Sequence, residues 1–201
     1  SLFNWYVAKP PQFVGLNNYL DIFLRDGRFW AAVWHTVYLT GLCIPVELVL
    51  GTAIALLFNQ RLPGNSLLRL LFVLPMVATP VAIALIWTII LTPSGGVLNS
   101  LLEQAGLPTF LWATHPDTVI PSLALVDIWQ WTPMVTLIVL AALESLPDEP
   151  FEAALIDGAS VVQVFFRITL PFLAPALAVA AMFRTMDTLK TFDVIYVITQ
   201  G

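Results

Sequence analysis

Cysteine, histidine and charge are all scarce in this chain, and each shortage closes off a class of function. Cys43 is the single cysteine, so no disulfide forms within the chain and no metal cluster is built from thiolates. The two histidines, His35 and His115, stand far apart and outside any HExxH-type spacing. They read as helix-end or loop histidines, and no metal site is expected. Lys and Arg number 8 against 13 Asp and Glu, for a net charge of −5. That balance excludes a nucleic-acid binder, which needs a basic patch. No GxxxxGK[ST] segment occurs, so the chain does not hydrolyse ATP itself and no enzyme activity is expected of it. The start, Ser1-Leu2-Phe3-Asn4-Trp5-Tyr6, has no initiator methionine, basic stretch or cleavage site. It does not read as a signal peptide. The far end, Thr199-Gln200-Gly201, is equally abrupt, and a fragment of a longer protein is expected.

Apolar surface is what the chain has in excess. Hydrophobic residues make up 59% and charged residues 10%, with a mean hydropathy of +0.87. Soluble domains carry roughly 25% charged and 45–50% apolar residues. So few charges cover a surface poorly in water, and a lipid bilayer is the expected solvent.

A helix needs about 20 mostly apolar residues to cross the roughly 30 Å hydrocarbon core. Four stretches meet or approach that length: 31–58, 67–91, 119–143 and 172–192. The second carries Pro75 and Pro80 and is expected to be one kinked span. The third carries Asp127 and Pro133. The fourth reaches Arg184 early, so it must be shielded by protein or have its charged end near the interface. Residues 1–30 read as a lead-in, with a turn at 13–19 feeding a short helix over 19–24. Trp5, Tyr6, Phe29, Trp30 and Trp34 suit a membrane interface. The turn at 60–66 holds Pro63-Gly64-Asn65, and the longer loop 92–118 has no basic residue. The positive-inside rule puts Arg61, Arg69 and Arg167 in the cytoplasm, against Lys9, Arg25 and Arg28 outside.

Residues 144–171 are the least hydrophobic long stretch and fit two short amphipathic helices. Ser145 suits an N-cap and Pro147 a first turn. Asp148 and Glu149 favour the positive end of the helix dipole. Gly158 is placed to end the helix in a left-handed conformation. Ser160 then caps a second helix over 161–169, stopped by Pro171. Phe151, Ala154 and Leu155 form an apolar stripe. It is buried either against the chain's own bundle or in a groove of a separate protein.

The spacing Glu152-Ala153-Ala154, three residues, Gly158, nine residues, then Ile168-Thr169-Leu170-Pro171 resembles the EAA loop of binding-protein-dependent ABC importer permeases at every position of that pattern. Phe13-Val14-Gly15-Leu16-Asn17-Asn18-Tyr19 is similar to the periplasmic lead-in of the maltose-type carbohydrate branch. Phe192-Asp193, Ile195-Tyr196-Val197 and Thr199-Gln200-Gly201 are similar to the stretch after that branch's fifth helix.

The resemblance implies an all-α polytopic helical bundle, the type I (MetI-like) importer permease fold. Here it is a single permease-domain fragment with about four transmembrane helices, the second to fifth of at least six. It implies that 144–171 is a cytoplasmic coupling loop and 193–201 a periplasmic segment. Phe151, Glu152, Ala153, Ala154, Leu155, Asp157 and Gly158 would then meet the ATPase, with Glu152 pairing with a basic residue there. The implied partners are a second permease subunit, two ATP-binding subunits, an extracytoplasmic solute-binding protein and the lipid bilayer of a bacterial inner membrane. ATP and Mg would sit on the ATPase, with no cofactor on this chain.

Ionisable residues inside spans are functional candidates. Sugars bind to aromatic faces and planar hydrogen-bonding groups, so Asp127, Trp129, Gln130 and Trp131 are candidates for a sugar path. The alternative is that the two tryptophans pack between helices or sit at the interface. Arg184, Asp187, Thr188 and Thr191 share one helix face. An Arg184–Asp187 pair there serves either the path or a local ion pair. Glu47 is expected to hydrogen-bond across helices or to be protonated. A non-sugar ABC permease remains an alternative. So does an ion-coupled secondary transporter relaying through Glu47, Asp127 and Asp187, which leaves the EAA-type loop without a purpose.

Overall fold

The computed structural model describes residues 2–5, 10–60 and 64–200; Tyr6, Lys9, Arg61, Pro63 and Gly201 lie outside them. The chain divides into two compact units, residues 1–38 and 39–201.

In the first unit, Phe3–Asn4 (β1) pairs antiparallel with Gln12–Phe13 (β2). The turn at Gly15, with φ +58°, leads into α1, Asn17–Arg25. That helix starts two residues before the expected short helix. Trp30 donates its indole N–H to the Phe23 carbonyl at 2.8 Å. Its ring and Trp34 stay exposed.

The second unit is helical. α2 runs Gly27–Asn59, beginning in the first unit, and is followed by α3 (Asn65–Val77) and α4 (Pro80–Ile90). Then come α5 (Val97–Gln104), α6 (Pro116–Glu144) and α7 (Glu149–Ile156). The last are α8 (Val161–Val164), α9 (Leu170–Leu189) and α10 (Asp193–Thr199). Among the described residues, three helical stretches are long and apolar enough to cross a membrane, and four if the α3–α4 pair counts as one.

One expectation about proline is sharpened and another needs correcting. The stretch 67–91 is more than kinked: α3 and α4 meet at a 95° bend, the geometry of a broken span or of a re-entrant loop. The break falls at Ala78–Thr79, extended residues before Pro80, because a residue preceding proline is pushed out of the helical region. Pro75 stays inside α3. Conversely, Pro171 does not stop the helix that Ser160 begins. Residues 165–169 form a π turn, and the rod continues from Val161 to Leu189. The Leu170 N–H reaches back five residues to the Phe165 carbonyl, and this wider turn relieves the clash that proline makes with the preceding carbonyl.

The 92–118 loop is ordered around Asn99, which is buried. Its amide donates to the Pro93 and Phe110 carbonyls and accepts from the Phe110 N–H and the Trp112 indole. The last residues form α10, which packs on α4. Two apolar cores result. One joins Leu39 and Cys43 to Ile83, Val126 and Ile198. The other joins Ala55 to Val135, Val139, Leu173 and Ala180. Along α2 and α6 a polar cluster separates them, at Glu47 and Asp127.

Candidate functional site

Two features combine chemistry with position: the 145–171 segment and the polar cluster between the cores. α6 ends at Glu144, and Ser145 bonds its hydroxyl back to the Ala142 carbonyl at 2.8 Å. Ser145 therefore closes α6 and does not cap the next helix, contrary to expectation. Asp148 stands at the start of α7, and Pro150 rather than Pro147 sits in its first turn.

The other end of α7 is as expected. Gly158 has φ +72°. Its N–H bonds the Leu155 carbonyl at 3.1 Å, and the Ala159 N–H bonds the Ala154 carbonyl at 3.0 Å. These are the two bonds of a Schellman cap. Ser160 then opens α8 with a capping box: its hydroxyl accepts from the Gln163 N–H, and the Gln163 side chain accepts from the Ser160 N–H. Both helix ends are thereby locked.

The expected stripe of Phe151, Ala154 and Leu155 is split. Ala154 is buried and Phe151 half-buried, whereas Leu155 is 72% exposed and Ile156 87%. Val161 and Val162 are exposed as well. Ala154 and Leu155 are about 100° apart around the helix, and α7 buries the side of Ala154 while it offers the side of Leu155 and Ile156. Glu152, Ala153 and Asp157 are exposed beside this patch. A hollow of about 350 Å³ lies between the helix ends, lined by Asp157, Gly158, Gln163 and Arg167 among others.

The polar cluster centres on Arg184, which is 0% exposed. Its Nε donates to Glu47 Oε2 at 2.6 Å and its Nη2 to Glu47 Oε1 at 3.0 Å. Nη2 also reaches Asp127 Oδ2 at 2.6 Å and Thr188 Oγ1 at 3.3 Å, and Nη1 reaches Asp187 Oδ2 at 2.8 Å. The guanidinium lies 5.1 Å from the Trp131 ring centroid. The Arg184–Asp187 pair holds, and α9 is shielded by protein at this charge. Unforeseen is the convergence of Glu47 and Asp127 on the same group. The three carboxylates that an ion relay would need are all engaged by one arginine.

Beside the cluster is a cavity of about 190 Å³ lined by Pro80, Asp127, Trp131, Asp187, Lys190, Thr191, Phe192, Asp193 and Val194. Asp127, Trp131 and Asp187 thus line the same cavity. Trp129 does not join them: it is 45% exposed and packs edge-to-face on Trp87 at 5.6 Å. It sits two residues, or about 200° of helix turn, from both Asp127 and Trp131. Gln130 is buried, and neither amide atom has a hydrogen-bond partner among the described residues. Lys190, Phe192 and Asp193 are not among the site residues expected from sequence, although Phe192-Asp193 belongs to a motif that points to the family.

Comparison with known proteins decides what carries this geometry. Residues 47–201 match the family model described as "Binding-protein-dependent transport system inner membrane component". The chain belongs to this family. It is therefore an integral membrane permease component, and its expected fold is confirmed. The permease is 39% identical over 196 residues to the trehalose/maltose transport system permease protein MalF of Thermococcus litoralis, covering 98% of this chain and 66% of that protein. It is 35% identical over 201 residues to the trehalose transport system permease protein SugA of Mycobacterium tuberculosis, covering 98% of this chain and 63% of that one. It thus spans a little under two thirds of each relative. A solved bacterial alginate ABC transporter, in complex with an alginate pentasaccharide-bound periplasmic protein, matches with a TM-score of 0.77 at 26% identity. That match covers 92% of this chain and 68% of the other.

Proposed function

We propose that this permease forms half of the translocation path of an ATP-driven sugar importer and is driven through its 144–171 segment. The observation that carries the proposal is the rigidly capped pair α7–α8, with Leu155, Ile156, Val161 and Val162 facing outward beside the acidic Glu152 and Asp157. An exposed apolar patch of this kind marks an interaction surface. Its shape suits a helix lying in a groove of a second protein. In this proposal that protein is the ATP-hydrolysing subunit, which also holds the ATP and Mg. A basic residue in its groove meets Glu152, and the segment is cytoplasmic.

The sugar assignment draws on the relatives named for trehalose and maltose and on the cavity chemistry. Carboxylates such as Asp127 and Asp187 accept hydrogen bonds from hydroxyls, and Trp131 and Phe192 offer aromatic faces. The remaining partners are a second permease subunit, two ATP-binding subunits and an extracytoplasmic solute-binding protein, in a bacterial plasma membrane.

Reconstitution of the whole importer in proteoliposomes tests this. Trehalose or maltose, delivered by the binding protein, should stimulate ATP hydrolysis and accumulate. Stimulation by amino acids, phosphate or polyamines alone would overturn the sugar assignment. Glu152→Lys should lower uptake per ATP hydrolysed while the protein stays in the membrane.

A further inference from the structure

The last carbonyls of a helix have no partner inside it and carry the negative end of its dipole. Two helix C-termini, those of α2 and α6, meet one side chain in this protein. Arg69 stands in the second turn of α3. Its Nη2 donates to the Phe58 carbonyl, in the last turn of α2, at 2.6 Å. Its Nη1 donates to Oε1 of Glu144, the last residue of α6, at 3.2 Å. Asn65, one turn before Arg69, adds bonds to the Phe58 carbonyl at 2.6 Å and the Gln60 carbonyl at 3.0 Å. Phe72, one turn after it, packs edge-to-face on Phe58 at 5.5 Å.

Glu144 leads almost directly into the docking segment. Only the turn of residues 145–148 separates it from α7, and that turn is tied back to α6 by the Ser145 and Leu146 N–H groups. The segment 144–171 carries five acids and one cation, Arg167. Arg69 therefore brings a charge from elsewhere in the chain to the root of the docking segment. Stability alone does not account for it. Arg69 is 33% exposed and Glu144 more so, and ion pairs so open to solvent contribute little. A planar fork reaching two acceptors on two helices fixes their relative position instead.

We propose that Arg69 is the positioning residue that joins the docking segment to the ends of α2 and α3. A displacement of α7 reaches Glu144 through the short turn, and Arg69 makes the ends of α2, α3 and α6 move with it as one body. The inference rests on the coupling role proposed for α7 and α8.

The test compares Arg69→Gln, Arg69→Lys and Gly158→Pro in the complete reconstituted importer. It measures uptake per ATP hydrolysed and the yield of assembled complex. Arg69→Gln should lower uptake per ATP by about two- to thirty-fold, the range expected for residues that carry coupling between sites. Complex yield should not change. Arg69→Lys should recover part of the loss, because an ammonium holds the Phe58 carbonyl but cannot fork to both acceptors. Wild-type uptake per ATP in Arg69→Gln, with Gly158→Pro uncoupled, would overturn the inference and leave the coupling role standing. Wild-type behaviour in Gly158→Pro would overturn both. A loss in Arg69→Gln matched by loss of assembled complex would mean a structural role only, and would also overturn it.

Discussion

Arg184 and Glu47 are 137 residues apart in sequence, yet both are fully buried and joined by two hydrogen bonds of 2.6 and 3.0 Å. The pair fastens α9 to α2, and Asp127 adds α6. Breaking a buried pair leaves an uncompensated charge, which costs about 3–5 kcal/mol. Arg184→Ala is therefore expected to leave less folded protein in the membrane and to lower the melting temperature of the purified complex. Glu47→Gln keeps an acceptor and the side-chain volume, so it should cost less. Equal melting temperatures for wild type and Arg184→Ala would contradict this account.

How much of the fold and the site is legible in the sequence depends on sequence distance. The Schellman glycine at 158 and the Ser160 cap are set by residues a few positions apart, and both are read correctly. Arg184 with Asp187 is one helix turn, and it too is read. Glu47 with Arg184 is a tertiary contact, and nothing local announces it. Trp129 and Trp131 look alike as neighbours in a run of polar and aromatic residues. Helix phase separates them: Trp131 comes four residues after Asp127 and shares its face, and Trp129 does not. Pro80 and Pro171 show the limit of reading proline by itself. The first marks a 95° bend between α3 and α4, and the second is absorbed in a π turn. The difference lies in whether the preceding turn widens.

Gly158 should respond to substitution through its backbone alone. A Cβ there meets nothing within 4 Å, but φ is +72°. A non-glycine residue in the left-handed region costs about 1–2 kcal/mol. Gly158→Ala is expected to reduce uptake moderately. Gly158→Pro, which cannot adopt this φ and loses the N–H bonded to Leu155, should abolish uptake with the protein still present in membranes. Parallel uptake assays and membrane immunoblots check this, and equal activity of the two variants would refute it.

Gly51 is a case of space rather than backbone. A Cβ there would lie 2.6 Å from Val135 Cγ1 and 2.8 Å from Val135 Cβ, so α2 and α6 cross at close range. Gly51→Ala should destabilise by about 1–3 kcal/mol through overpacking. Val135→Ala alone should also destabilise, by leaving a gap. Combined, the two changes should cost less than their sum, because each removes the other's defect. Melting temperatures of the two single variants and the double variant provide the cycle, and strict additivity would show that the contact is not the cause.

The two tryptophans offer the sharpest separation of path from packing. Trp131 lines the cavity with Asp127 and Asp187, and its ring lies against the Arg184 guanidinium. A cation–ring contact of this kind contributes about 0.5–2 kcal/mol. Trp131→Ala thus removes a cavity wall and loosens the arginine together. Trp129 faces away from the cavity and touches Trp87. Trp129→Ala is expected to leave the KM for uptake close to wild type, with at most a small loss of stability. Trp131→Ala should raise KM or lower the maximal rate several-fold. A milder change, Trp131→Phe, keeps an aromatic face and should recover most of the uptake if the ring meets substrate. Uptake kinetics at saturating binding protein check all three. An effect of Trp129→Ala equal to that of Trp131→Ala would move the path to the other side of α6.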